Sequence, residues 1–239
     1  MRAVFVALLL AGCASGGPKV IEPTPENVAS QFDAVAFNTD FRRSHGIVTK
    51  WTEDPVVAWL SSPQNAELVR WHRADLEATL RDIQAITGHL WREAAPEGSH
   101  SGSATLRIGF VPRRRFAEVS GSRVARDTRR IACMATYRMS YRSGEIRSAI
   151  ALFGTDIPDR IRRDCILEEL VQVMGLPADA CHYRPSLFCE DDRVFEMTAA
   201  DKLMLGILYD ARLRPGMPRD EAMPIVRVLI GERWSSFIP

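Results

Sequence analysis

The residues best equipped for chemistry lie in the run Asp164-Cys165-Ile166-Leu167-Glu168-Glu169-Leu170-Val171-Gln172-Val173-Met174-Gly175-Leu176. Two adjacent carboxylates and one amide are set there in an apolar segment. Glu168 and Gln172 are four residues apart, so a helix puts them on one face, with Glu169 one step round. Helices this apolar are central, and a carboxylate turned toward a partly buried cleft must pair with a cation, an arginine or another polar group. Asp179 and His182 follow closely enough in sequence to join the set. Such a cleft is open to two kinds of chemistry: oxygen ligation of a hard cation, or proton exchange between carboxyl groups acting as acid and base. A third reading is internal, with Glu168 and Gln172 hydrogen-bonded to their own fold and the domain serving to bind a partner.

Other chemistries lack their residues. Ser120-Gly121-Ser122 has no nucleophile-elbow context, no G-x-S-x-G occurs, and no glycine-rich phosphate loop is present. His72 lies on an apolar helix face and reads as a core histidine, with Trp71 and Trp91 as core or rim aromatics. Asp210, Arg212 and Arg214 beside Pro215-Gly216 read as a turn lock.

The elements that must carry the motif follow from periodicity. Ile47–Trp51 and Pro55–Leu60 look like a strand broken at Glu53-Asp54-Pro55. Ser61-Ser62-Pro63 would start a long amphipathic helix with Leu68, His72, Leu76, Leu80, Ile83 and Ile86 inward, ending near Gly88. Thr105–Val111 alternates like a half-buried strand, and Ile131–Tyr141 with Glu145–Phe153 flank the hairpin turn Arg142-Ser143-Gly144. The motif helix runs from about Ile161 to Met174, capped by Gly175 and stopped by Pro177. Thr198-Ala199-Ala200-Asp201 is a capping-box start for a helix through Leu208, and a last helix covers about Met223–Ile230. The order predicts an α+β domain with a mixed sheet, a long helix, a central motif helix and C-terminal helices.

The N-terminus predicts the compartment. Arg2 and the apolar Ala3–Leu10 form a minimal export signal, and Leu10-Ala11-Gly12-Cys13 resembles the lipobox of bacterial lipoproteins. The resemblance implies cleavage of residues 1–12 and lipidation of Cys13, with several acyl chains as the anchor. Ala14 after that cysteine implies the outer membrane, facing the periplasm. Residues 13–38, with Gly16-Gly17-Pro18, Pro23 and Pro25, read as a flexible tether, and residues 39–239 as the domain. Export also decides the other cysteines. Cys133, Cys165, Cys181 and Cys189 are an even set in an oxidising compartment, so two disulfides are expected. Of three pairings, Cys181–Cys189 with Cys133–Cys165 is favoured.

Glu168-Glu169-x-x-Gln172-x-x-Gly175 resembles the H-E-x-x-H-x-x-G helix of the metzincin zinc peptidases, and the order of elements is similar too. The resemblance implies a zincin-like fold, Glu169 as general base if the chain is an enzyme, and a third ligand near Ala178 or Asp179. Both histidines are replaced, and a carboxamide is a poor zinc ligand, so no metal or other cofactor is expected. Met197 or Met217 would stand at the methionine turn. A fuller resemblance is to an uncharacterised family of bacterial lipoproteins with a domain of unknown function. Its blocks are Cys165–Leu176, Ser186-Leu187-Phe188, Thr198–Asp201 and Leu208–Met217.

Composition bounds the rest. With 239 residues, 46% hydrophobic and net charge +1, the chain is long enough for a full core and too apolar for general disorder. Residues 107–147 hold eleven arginines against three acids, which offers a basic surface to anionic headgroups or cell-wall polymer. The expected partners are the membrane, through the lipid, and an envelope protein or cell-wall polymer; nucleic acid does not fit an exported chain.

Overall fold

The computed structural model describes residues 19–38, 46–60, 65–94, 104–121, 131–190 and 192–237. The signal segment, Cys13 and the expected helix start at Ser61–Pro63 lie outside these residues. Among the described residues, five strands, β1 (Val56–Leu60), β2 (Arg92–Glu93), β3 (Leu106–Val111), β4 (Cys133–Met139) and β5 (Ile146–Gly154), form one mixed sheet in the order β2-β1-β3-β5-β4. All neighbours run parallel except β4, which pairs antiparallel with β5 at the edge. β5 is apolar on both sides because both faces of the sheet are covered. The hairpin turns where the sequence predicts, and Gly144 is required there: its φ is +69°, and a Cβ would stand 2.2 Å from the Gly216 nitrogen.

Among the described residues, seven α-helices surround the sheet: α1 (Pro25–Phe37), α2 (Ala66–Trp71), α3 (Arg73–Thr87), α4 (Phe116–Ser120), α5 (Asp159–Gln172), α6 (Ala199–Leu208) and α7 (Arg219–Phe237). α3 and α5 join the main core on the face of Ala149, Ala151 and Phe153, whereas Phe116 of α4 packs with Ile150 and Leu152 in a smaller core on the other. The predicted long helix bends at His72, yet its hydrogen bonds run through: His72 N–H donates to Leu68 O at 3.0 Å and Leu76 N–H to His72 O at 3.0 Å. His72 is fully buried and stacked on Phe110, with Nδ1 3.1 Å from Asp75 Oδ2 and Nε2 3.3 Å from Arg162 Nη1. A guanidinium only donates, so Nε2 accepts and the ring proton sits on Nδ1 toward Asp75. Both ring nitrogens are therefore used inside the fold, as expected of a core histidine.

Two expectations need correction. The tether expected over 13–38 stops short of Pro25, because Pro25–Phe37 is a helix with a full capping box: Asn27 N–H donates to Thr24 Oγ1 at 3.2 Å, and Thr24 N–H to Asn27 Oδ1 at 2.6 Å. Val28, Phe32 and Val35 recur at helical spacing, are fully buried, and seat α1 in the main core. Arg219 of α7 grips Asp33 through two 2.5 Å hydrogen bonds. The second correction concerns Ile47–Trp51. It makes isolated bridges, Ile47 to Pro218 and Lys50 to Glu145, rather than a strand, since its backbone groups pair with two different turns: Val48 N–H donates to Met217 O at 2.8 Å and Lys50 N–H to Gly144 O at 3.2 Å. No helix among the described residues is long and apolar enough to cross a membrane.

Candidate functional site

α5 enters the core because Cys165, Ile166, Leu167, Leu170 and Val171 are apolar and all but fully buried. Its C-terminal carbonyls need donors, and the segment before β1 and the residue after α6 supply them. Trp51 Nε1–H donates to Val173 O at 3.0 Å, and the Tyr209 hydroxyl donates to Met174 O at 2.9 Å. Beyond the helix Gly175 adopts φ +115°, and a Cβ there would lie 2.0 Å from Thr49 O, so only glycine lets the chain turn this close to Thr49. The turn sends Asp179 back along the helix. Gln172 Nε2 donates to Asp179 Oδ1 at 2.8 Å and, at the long distance of 3.5 Å, to Glu168 Oε1. Three of the four residues expected in the cleft therefore meet at one amide nitrogen.

Their electrostatics are strained. Burial pushes the Glu168 carboxyl well above its ordinary range, and the carboxylates of Asp179 and Asp164 push it further. Asp164 is itself raised by burial, although Val194 N–H donates to it at 3.0 Å. Glu169 is also buried, 6% exposed, about 100° round α5 from Glu168. Two carboxylates and one amide do not fit zinc of the kind the metzincin resemblance implies. Zinc takes thiolate, imidazole or carboxylate, and Gln172 turns an N–H donor, not a lone pair, toward its neighbours. Among the described residues, no three His, Cys, Asp or Glu side chains gather in a metal-binding group.

His182 does not join the cluster. Gln31 of α1, fully buried, clamps this loop: its Nε2 donates to Ala180 O and its Oε1 accepts from His182 N–H at 2.7 Å, while the His182 side chain faces solvent. Ala178, the nominal third-ligand position, is buried, and Asp179 takes its place at the motif. Both disulfides form in the favoured pairing. Cys133–Cys165 ties edge strand β4 to α5, and Cys181–Cys189 closes the loop after Asp179.

A fully buried carboxylate with four donors lies nearby in sequence. Asp201 is fully buried at the start of α6 and accepts from Tyr183 OH at 2.6 Å, Ser186 Oγ at 2.8 Å, Thr198 N–H at 3.0 Å and Leu187 N–H at 3.3 Å. The run Ser186-Leu187-Phe188 is thereby bolted to the Thr198–Asp201 capping box. A model of the family described as protein of unknown function (DUF2927) matches residues 25–228. The chain belongs to this family. No curated protein matches it.

The DUF2927 match begins at Pro25, the first residue of α1, so the family boundary coincides with the structural one. Within the domain, sequence reasoning missed Lys50. Its Nζ donates to Leu208 O at 3.1 Å and Asp210 O at 3.2 Å, satisfying the C-terminus of α6, and burial lowers its pKa to about 8 against the pull of Asp210. The signal was compositional: the chain carries three lysines against 28 arginines, and a compact ammonium fits where a guanidinium fork would not. Gln31 gave no signal at all, since its partners lie about 150 residues away.

Proposed function

We propose that this DUF2927 protein is an exported, lipid-anchored component of the bacterial cell envelope whose metzincin-like domain binds a partner without hydrolysing it. Leu10-Ala11-Gly12-Cys13 supports an anchor on Cys13 in the outer membrane, facing the periplasm. The mixed sheet, central α5 and glycine turn at Gly175 support the metzincin-like reading. The non-catalytic reading rests on one observation: the Gln172 amide nitrogen donates to Asp179 at 2.8 Å, on the helix face where a zinc peptidase presents imidazole lone pairs. An envelope protein or cell-wall polymer is the partner this predicts. Arg107 and Arg138 support an anionic one, being exposed and, by register, on the sheet face away from α5.

Two substitutions test the proposal. Cys13→Ser should move the protein from the membrane fraction to the soluble one; retention in the membrane would contradict the anchor. Glu169→Gln should leave Tm and complementation of a deletion strain unchanged. Lost complementation at unchanged Tm would instead support hydrolysis of a peptide or cell-wall substrate. That reading is favoured by the crowding of Glu168 against Asp179, which with burial raises the Glu168 carboxyl well above its ordinary range.

A further inference from the structure

We infer that the outer edge of β4 is a docking site for an acidic, extended segment of a partner protein, which adds to the sheet as a further strand. The inference rests on the partner-binding reading above and takes a peptide, rather than a cell-wall polymer, as the thing bound.

The two edges of the sheet are unequal. β2 closes one side and is two residues long, so it offers an incoming strand almost nothing to pair with. β4 closes the other side and is seven residues long. The phase of its ladder shows which groups are spare. Gly154 N–H donates to Ala132 O at 3.0 Å and Ala149 N–H to Thr105 O at 2.8 Å, so even-numbered residues of β5 bond toward β4 and odd-numbered ones toward β3. By register, Met134, Thr136 and Arg138 take the inward bonds. The N–H and C=O groups of Cys133, Ala135 and Tyr137 therefore point out of the sheet, and no strand lies beyond them among the described residues. All three residues are only half-buried. A bulge between Arg138 and Met139 ends the regular run, which confines the open ladder to residues 133–137. The Cys133–Cys165 disulfide staples this edge to α5, so it is ordered before a partner arrives.

Charge selects the partner. Arg138 is exposed on the face away from α5, Arg142 is exposed in the turn that follows, and neither forms an ion pair among the described residues. The only acid between Cys133 and Gly154 is Glu145, which is held by Ser143 at 3.0 Å and by Arg147. A strand laid along β4 sets every second side chain on the Arg138 face, where a carboxylate meets an uncompensated guanidinium. A second copy of this chain fits worse, because edge-to-edge pairing sets two basic strands together with no free acid on either. A polysaccharide fits worse still, having no row of N–H and C=O groups to complete the ladder.

The test is a fluorescence-anisotropy titration of the full chain in detergent with the labelled acidic peptide Ac-Glu-Val-Glu-Val-Glu-Val-Glu, with amide hydrogen exchange followed in parallel. Saturable binding that slows exchange at Cys133, Ala135 and Tyr137 is expected. Ala135→Pro removes an outward N–H and no inward one, so Tm should hold while affinity falls about tenfold or more. Arg138→Glu, at an exposed position, should weaken the acidic peptide about tenfold and favour its Lys-Val counterpart, and it carries the test if Ala135→Pro lowers Tm. Ala135→Pro should also fail to complement the deletion strain. Its full complementation overturns this inference and leaves the partner-binding reading standing, which Glu169→Gln tests separately. Equal affinity of both variants for the peptide overturns it, as does unchanged exchange at Ala135 under saturating peptide. A dimer of the full chain that Ala135→Pro dissolves, with no peptide bound, overturns it in favour of a second copy. Undiminished binding of Ala135→Pro to isolated cell-wall polymer, with no peptide bound by the native chain, overturns it in favour of the polymer.

Discussion

Asp201 on α6 and Glu168 on α5 are carboxylates, the first fully and the second partly buried, and the fold treats them in opposite ways. Burial raises both. Asp201 is compensated by four donors, two hydroxyls and two backbone N–H groups, which pull its pKa back down. Glu168 has one amide at 3.5 Å and three like charges nearby, Asp179, Asp164 and Glu190, against the single cation Arg193. A carboxylate with saturated acceptors is a structural bolt; one crowded by its own kind is held in place by the rest of the fold and costs stability. The contrast assigns the Ser186–Asp201 region to architecture and leaves the Glu168–Gln172–Asp179 group as the place where function would justify the cost.

The contrast is broken or sharpened by four substitutions. Asp201→Ala strands four donors at once and should cost about 4 kcal/mol, read as a lowered urea midpoint; a loss under about 1 kcal/mol would show that the donors re-pair and Asp201 is no bolt. Replacing Cys133 and Cys165 together with alanine frees α5 three residues before Glu168 and should cost about 3–4 kcal/mol, from the 32-residue separation it closes. Denatured, unreduced protein should correspondingly show no reactive thiol among Cys133, Cys165, Cys181 and Cys189.

Lys50 extends the comparison to a cation. Its folded pKa of about 8 lies below the ordinary 10.5, so between those values the unfolded chain holds more protons. Stability should therefore rise as pH goes from about 8 toward 10, by about 2 kcal/mol relative to Lys50→Met, in which that rise is absent. The smallest effect belongs to Glu168→Gln. The folded Glu168 keeps its proton above the unfolded value of 4.5, so its contribution is largest in acid and is lost as pH rises through that window. Removing the charge should raise stability at pH 7 by about 1 kcal/mol and flatten the acid limb of the profile. Unchanged stability would mean that Glu168 is as well compensated as Asp201.

What was legible in the sequence was local. The motif helix, the Gly175 turn, the hairpin at Gly144 and the Thr198 capping box each depend on residues within a few positions, and the structure has all four. The disulfides followed from parity and compartment. α1 was hidden because Pro25, a good first residue of a helix, stands beside Pro23 in a stretch that begins with Gly16-Gly17-Pro18, and that composition outweighed the spacing of Val28, Phe32 and Val35. His182 looked available by proximity alone, and only the clamp from Gln31, on the missed helix, turns its loop away.

The central claim is that the motif helix presents a hydrogen-bonded amide where a zinc peptidase presents ligands. The direct measurement is the metal content of the purified full chain with disulfides intact, compared with Glu168→Ala. The account predicts no stoichiometric ion in either protein. A near-stoichiometric ion that disappears in Glu168→Ala would contradict it.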